Sequence, residues 1–212
     1  MSKFIVKSTP TIDESLIIKP SELGQPREWL YNLEDQDVYA EMGLDENFVQ
    51  HSSEKMARGV LRGLYFQRKD SYSRIIAVTS GRALCVVVDL RPESKTFGAA
   101  NSVELSAENE TIVYLPPYFA YGVLTLEAGT EVVCNGSGER DEATECGIIY
   151  DDEILSINWQ YERYQIDERR LNMTQKDKKF PSFRSYNKNT IWINRPKKSK
   201  YALSRERVIK VV

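Results

Sequence analysis

The residues of this 212-residue chain best placed to do chemistry are an arginine and a tyrosine on one short apolar run. Residues 59–67, Gly-Val-Leu-Arg-Gly-Leu-Tyr-Phe-Gln, read as an inner strand of a β-barrel that delivers Arg62 and Tyr65 into a cavity. A regular strand points residues three apart to opposite faces. Gly63 stands between the two, and a strand glycine often marks a bulge that re-aims a neighbour. A tyrosine titrates near 10, so Tyr65 is a useful base at neutral pH only if an adjacent cation, here Arg62, stabilises its phenolate.

The other reactive residue types are sparse. Cys85, Cys134 and Cys146 form no CxxC pair and are odd in number, which argues against a disulfide framework or a zinc ribbon. Cys85 reads as a barrel-lining thiol. His51 is the single histidine, so a multi-histidine metal site is excluded, and a solvated loop position is its expected role. No metal and no cofactor is expected.

A net charge of −2, 41% hydrophobic and 28% charged residues describe an ordinary globular chain. This near-neutral balance gives no global argument for nucleic acid as a partner. No apolar run reaches the roughly 18–20 residues that span a bilayer. The N-terminal Met-Ser-Lys-Phe-Ile-Val-Lys lacks a signal-peptide core, so a cytoplasmic location with no membrane association is expected.

The elements that must position Arg62 and Tyr65 are short strands. Phe4–Val6 and Ser15–Ile18 are strand candidates, and Pro20 ends the second. Residues 20–57 are polar and mixed, with a strand candidate at Arg27–Tyr31 and a helical turn within Glu34–Gly43 closed by its glycine. From residue 58 the candidates are 58–66, 73–79, 82–90, 102–105, 111–115, 121–126, 130–134 and 147–150. Leu84, Val86, Val88 and Leu90 share one face, expected to line the interior or an inter-sheet core. Turn signals at short intervals predict an all-β sandwich or barrel. Glu162–Lys179 reads as a helix or an extended arm leaving the barrel. Thr190–Asn194 is a last strand candidate, followed by a basic tail whose bland reading is a solvated segment packed through that strand.

Several motifs, in order, resemble the dTDP-4-dehydrorhamnose 3,5-epimerases, a family of metal-free cupins. They are Phe48-Val49-Gln50 with Gly59 to Leu64, Val88 to Arg91 with Ser94 to Gly98, and Leu105 to Asn109. Leu115 to Gly122, Ile149 to Asp152 and Met173 to Asp177 follow. The resemblance implies a cupin-type jelly-roll β-barrel with short peripheral helices over residues 1–186 and a basic C-terminal extension over 187–212. It also implies a homodimer in which Arg27 serves the partner's pocket.

The family removes an acidic proton beside a 4-keto group with a histidine oriented by an aspartate, and returns a proton on the other face from a tyrosine. By that resemblance Tyr65 stands where the histidine is expected, Tyr121 replaces a second histidine, and Asp177 matches the orienting aspartate. Arg140 is nearest the expected tyrosine, and Cys85 stands where an aspartate is usual. Arg27, Gln50, Arg62 and Arg74 match residues that contact the sugar nucleotide, while Ser52 and Asn32 depart from the pattern. Arginine's planar fork suits a diphosphate. The expectation is an atypical epimerase or isomerase of a nucleotide-linked 4-keto-6-deoxy sugar, with Tyr65, Asp177 and Tyr121 as its chemical residues. The alternative is a non-catalytic sugar-nucleotide-binding cupin.

Overall fold

The computed structural model describes residues 4–12, 15–20, 36–186 and 191–193. Strands β1 (Phe4–Ser8), β2 (Leu16–Pro20), β3 (Gln50–Met56), β5 (Arg74–Ser80), β8 (Ile112–Leu115) and β10 (Thr130–Gly136) form one antiparallel sheet in the order β1-β2-β8-β5-β10-β3. Strands β4 (Leu61–Gln67), β6 (Arg82–Asp89), β7 (Ala100–Ser106), β9 (Phe119–Thr125) and β11 (Glu145–Gly147) form the second, in the order β11-β4-β9-β6-β7. A single short helix, α1 (Gln36–Glu41), is described, and Gly43 follows it at φ 77° as a closing glycine.

Apolar side chains fill three layers. Ile76, Val78, Ala83, Cys85, Val87 and Val123 meet between the two sheets. Tyr39, Met42 and Phe48 cover the outer face of the six-stranded sheet, over Ile75, Ala77 and Tyr114. The outer face of the five-stranded sheet is covered by the segment after β11, through Leu155, Trp159, Phe183, Ile191 and Trp192. The face carrying Leu84, Val86, Val88 and Leu90 therefore packs outward under that segment, while the alternate residues of β6 line the interior. Period-two patterning marks a face but not its direction, and β6 is apolar on both.

Three expectations need correction. Strand β3 lies in the stretch read as polar and mixed, with no strand expected at 50–56; it is an edge strand whose residues are mostly exposed, so it carries no apolar alternation. The charged segment 161–179 neither forms an α-helix nor leaves the barrel. It runs through turns and two 3-10 segments, Glu168–Arg170 and Asp177–Lys179, and returns to β4. There Leu61 N donates to Asn172 O at 3.0 Å and Asn172 N donates to Gly59 O at 2.9 Å. The strand expected at 147–150 sits at Glu145–Gly147 instead, with Ile148 and Leu64 still exchanging backbone hydrogen bonds of 3.0 and 3.1 Å.

Residues 191–193 are irregular but docked. Trp192 packs edge-on against Phe66 and Tyr118, its Nε1 donates to Leu90 O at 2.9 Å, and Arg68 Nε donates to Ile191 O at 2.9 Å. The strand candidate at Arg27–Tyr31 and the basic residues from Arg195 onward lie outside the described residues. Trp192 is 4% exposed. Its replacement by alanine is expected to cost about 3–5 kcal/mol, read as a fall in the urea midpoint by circular dichroism. A cost under about 1 kcal/mol would show that Trp192 is not part of the core.

Candidate active site

Strand β4 does not keep regular register with β9. Arg62 pairs with Val123 and Tyr65 with Tyr121, so β4 carries one more residue than its partner between those pairs. Gly63 occupies the bulge at φ 100°, and a Cβ there would lie 2.6 Å from the Tyr121 carbonyl oxygen. Only glycine satisfies both conditions. As a result Arg62 and Tyr65 line the same cleft, as the glycine's position suggested.

The cleft has a volume of about 470 Å³ and opens between the sheets. The five-stranded sheet contributes Arg62, Tyr65, Tyr121 and Val123. Gln50, Ser52, Glu54, Arg74, Val132 and Cys134 come from the six-stranded sheet, and Tyr72, Arg140 and Glu145 complete the rim.

Asp177 lies behind Tyr65 with no exposed surface. Its Oδ1 accepts the Tyr65 hydroxyl at 2.6 Å, and its Oδ2 accepts Thr174 Oγ1 at 2.8 Å. The ring of Phe180 meets Tyr65 edge-on with centroids 5.6 Å apart. Burial, and the carboxylate that accepts its proton, push the Tyr65 phenol well above its ordinary range; Arg62 opposes this only in part. Tyr65 is therefore a neutral phenol whose proton points away from the cleft. The expected cation-stabilised phenolate does not form, because Arg62 is already engaged: its Nη2 lies 2.6 Å from Glu54 Oε1 and its Nη1 3.8 Å from Asp177 Oδ2.

Arg74 is placed differently. It is 6% exposed, its guanidinium carbon lies 4.1 Å from the Tyr72 ring centroid and 5.3 Å from that of Tyr121, and no ion pair to it occurs among the described residues. Such stacking favours a cation but leaves its charge unneutralised. Gly136 and Gly138 leave the room that the Tyr72 ring fills. Burial raises the Tyr121 phenol well above its usual value, and its hydroxyl is 3.9 Å from Cys134 Sγ. At the rim, Arg140 Nε and Lys176 Nζ each approach Glu145 at 2.6 Å; burial works against that carboxylate, but the two cations hold its pKa below the ordinary value.

Of the residues singled out in the sequence, Gln50, Arg62, Tyr65, Arg74, Tyr121 and Arg140 share the cleft, with Asp177 supporting it. Arg27 lies outside the described residues. Cys85 is buried in the interior cluster and His51 is exposed on β3, so neither lines the cleft. Sequence reasoning did not pick out Glu54, Tyr72, Cys134 and Glu145. Tyr72 lies in the irregular segment just before β5, so no strand periodicity marked it in the sequence.

Two antiparallel sheets closing over a cleft define a cupin-type barrel, the class to which epimerases of solved structure belong. The dTDP-6-deoxy-D-glucose-3,5-epimerase of Legionella pneumophila, solved with dTDP-4-keto-L-rhamnose, superposes with a TM-score of 0.76 at 27% identity, over 89% of this chain and 97% of that one. A family model described as dTDP-4-dehydrorhamnose 3,5-epimerase matches residues 9–185. The chain is 33% identical to the enzyme of that name from Salmonella typhimurium over 71% of this chain and 83% of the relative. With the Methanothermobacter thermautotrophicus enzyme it shares 32% identity over 82% and 92%. The chain belongs to the dTDP-4-dehydrorhamnose 3,5-epimerase family.

The raised phenols set an alkaline limit. Tyr65 and Tyr121 hold their protons in the native state to higher pH than the unfolded chain does, where they ionise near 10. Above that pH the unfolded state binds fewer protons, so stability present below about pH 10 is lost as pH rises toward the native values, by at most about 1.4 kcal/mol per pH unit for each phenol. The urea midpoint is expected to fall between about pH 9 and about pH 11, and to fall less in the Tyr65→Phe, Tyr121→Phe double variant.

Proposed function

We propose that this chain is an atypical isomerase of a nucleotide-linked 4-keto-6-deoxy sugar, in which a Tyr65–Asp177 dyad replaces the family's histidine–aspartate pair. The observation that carries this reading is the 2.6 Å hydrogen bond from Tyr65 to buried Asp177, on the wall of a cleft that also holds the unneutralised Arg74. Relatives named as epimerases, and the keto-sugar nucleotide in the Legionella structure, supply the substrate class.

In this arrangement Tyr65 relays a proton. A C–H bond beside the ketone breaks, its proton joins the phenol oxygen, and the phenol's own proton passes to Asp177. The bond's electron pair becomes the enolate, whose charge gathers on the former carbonyl oxygen. Arg74 is the group suited to that oxygen, since a buried donor with no competing anion stabilises developing charge without reorganising. Return of a proton to the opposite face inverts the carbon. Arg62, now held by Glu54, is the group best placed to meet a phosphate once that carboxylate swings away.

Incubation with dTDP-4-keto-6-deoxyglucose in deuterated water tests this by NMR. Deuterium is expected at C3 or C5, reduced about 10²–10⁴-fold in Tyr65→Phe and about 10²–10³-fold in Arg74→Gln. Absence of exchange with this substrate and its CDP and GDP analogues, together with saturable binding lost in Arg62→Ala, would support a binding protein instead. Glu54→Gln frees Arg62, and dTDP is expected to bind it more tightly than the parent, by about fivefold to tenfold in calorimetry.

A further inference from the structure

Inversion requires groups on two faces of one carbon, and the two tyrosines do not provide them. Tyr65 and Tyr121 are register partners on adjacent strands, with ring centroids 6.1 Å apart. Both approach the cleft from the five-stranded sheet. The second group must come from the other wall.

The hydrogen-bearing side chains of that wall differ in what they can deliver. The Ser52 hydroxyl donates to Cys134 O at 2.8 Å, and Ser53 donates to Glu131 Oε1 at 2.7 Å. Tyr72 at the rim donates to Gln50 Oε1 at 3.3 Å. Serine hydroxyls are very weak acids, and the Tyr72 phenol is raised above its ordinary value, chiefly by burial. Among the described residues, the hydrogen-bond contact of the Cys134 thiol, on β10, is the 3.9 Å approach to the Tyr121 hydroxyl. Thiols ordinarily titrate near 8.5 and phenols near 10, and burial raises both here. What sets the thiol apart is its intrinsic acidity together with its place on the wall facing Tyr65 and Tyr121. The guanidinium of Arg74 belongs to the neighbouring strand, where Arg74 pairs with Gly136 and Ile76 with Cys134.

We propose that Cys134 is the proton donor on the face opposite Tyr65, with Tyr121 orienting its thiol and Arg74 facing the thiolate it leaves. This rests on the isomerase reading. The S–H bond breaks and its proton forms the new C–H bond with the enolate's electron pair, while the carbonyl re-forms. The negative charge passes from the enolate oxygen to sulfur, beside the same guanidinium. Asp177, which has no exposed surface, then hands its acquired proton back to the Tyr65 oxygen, while the cleft-side proton of that phenol leaves to water after product release. The thiolate regains a proton from water. Burial keeps the resting thiol protonated, and Arg74 works in the opposite sense, easing its ionisation.

The test separates exchange from inversion. In deuterated water with dTDP-4-keto-6-deoxyglucose, Cys134→Ala and Cys134→Ser are expected to keep deuterium exchange within a few fold of the parent, because Tyr65 can return solvent deuterium to its own face. Both are expected to lose formation of the inverted sugar by about 10²–10⁴-fold. Iodoacetamide labelling of Cys134, followed by mass spectrometry, is expected to slow when dTDP is present. Inversion at the parental rate in Cys134→Ala, or equal loss of exchange and inversion, would overturn the proposal and leave the isomerase reading standing. A parent that exchanges no deuterium removes both.

Discussion

A carboxyl group with no exposed surface is costly to bury unless donors meet it, and Asp177 is the point around which this site is tied together. Its donors come from two places far apart in sequence: Tyr65 on β4, and Thr174 three residues before it. Satisfying that one group draws the 172–180 segment along β4, places Phe180 on the Tyr65 ring and turns the phenol's proton inward. The character of Tyr65, a neutral phenol and not a phenolate, follows from this contact.

The same reasoning explains the polarity of the cleft. Three arginines line it, but Arg62 faces Glu54, and Arg140 faces Glu145, itself shared with Lys176. Arg74 has aromatic rings and the Cys134 thiol around its charge, and no carboxylate among the described residues pairs with it. A cleft rich in cations therefore presents one strong, fixed positive centre and two that must first release an intramolecular carboxylate. The Arg62–Glu54 pair is partly exposed, so its release costs little, whereas Glu145 is largely buried between Arg140 and Lys176 and holds them more firmly.

Much of this was legible in the chain. The strands from residue 58 onward announced themselves through short apolar runs and turn residues, and Gly63 between Arg62 and Tyr65 pointed to the bulge that brings both into one cleft. Motif order supplied Gln50, Arg74, Tyr121, Arg140 and Asp177. What escaped did so for physical reasons. Strand β3 is a polar edge whose pairing with β10 leaves no apolar signature. The 161–179 segment is held by backbone bonds and scattered apolar contacts instead of a periodic face. Cys134 became visible only when opposite walls were placed face to face, and Glu145 only when β11 was laid beside β4, relations that spacing along one strand cannot encode.

The docking of residues 191–193 on β4 also has a bearing on how the chain is made. The Tyr65–Asp177 bond joins residues 112 apart, and Trp192 closes on Leu90 across 102. At a synthesis rate of about 5–20 residues per second, roughly 6–22 s separate the emergence of Tyr65 from that of its carboxylate. During that interval β4 can pair with β9 while Phe66 lacks its Trp192 cover, exposing an aromatic surface on a half-built barrel. A nascent chain paused at the family's own boundary near residue 185 already holds every described group of the cleft, yet still lacks Ile191 and Trp192, which complete the cover of the sheet behind it.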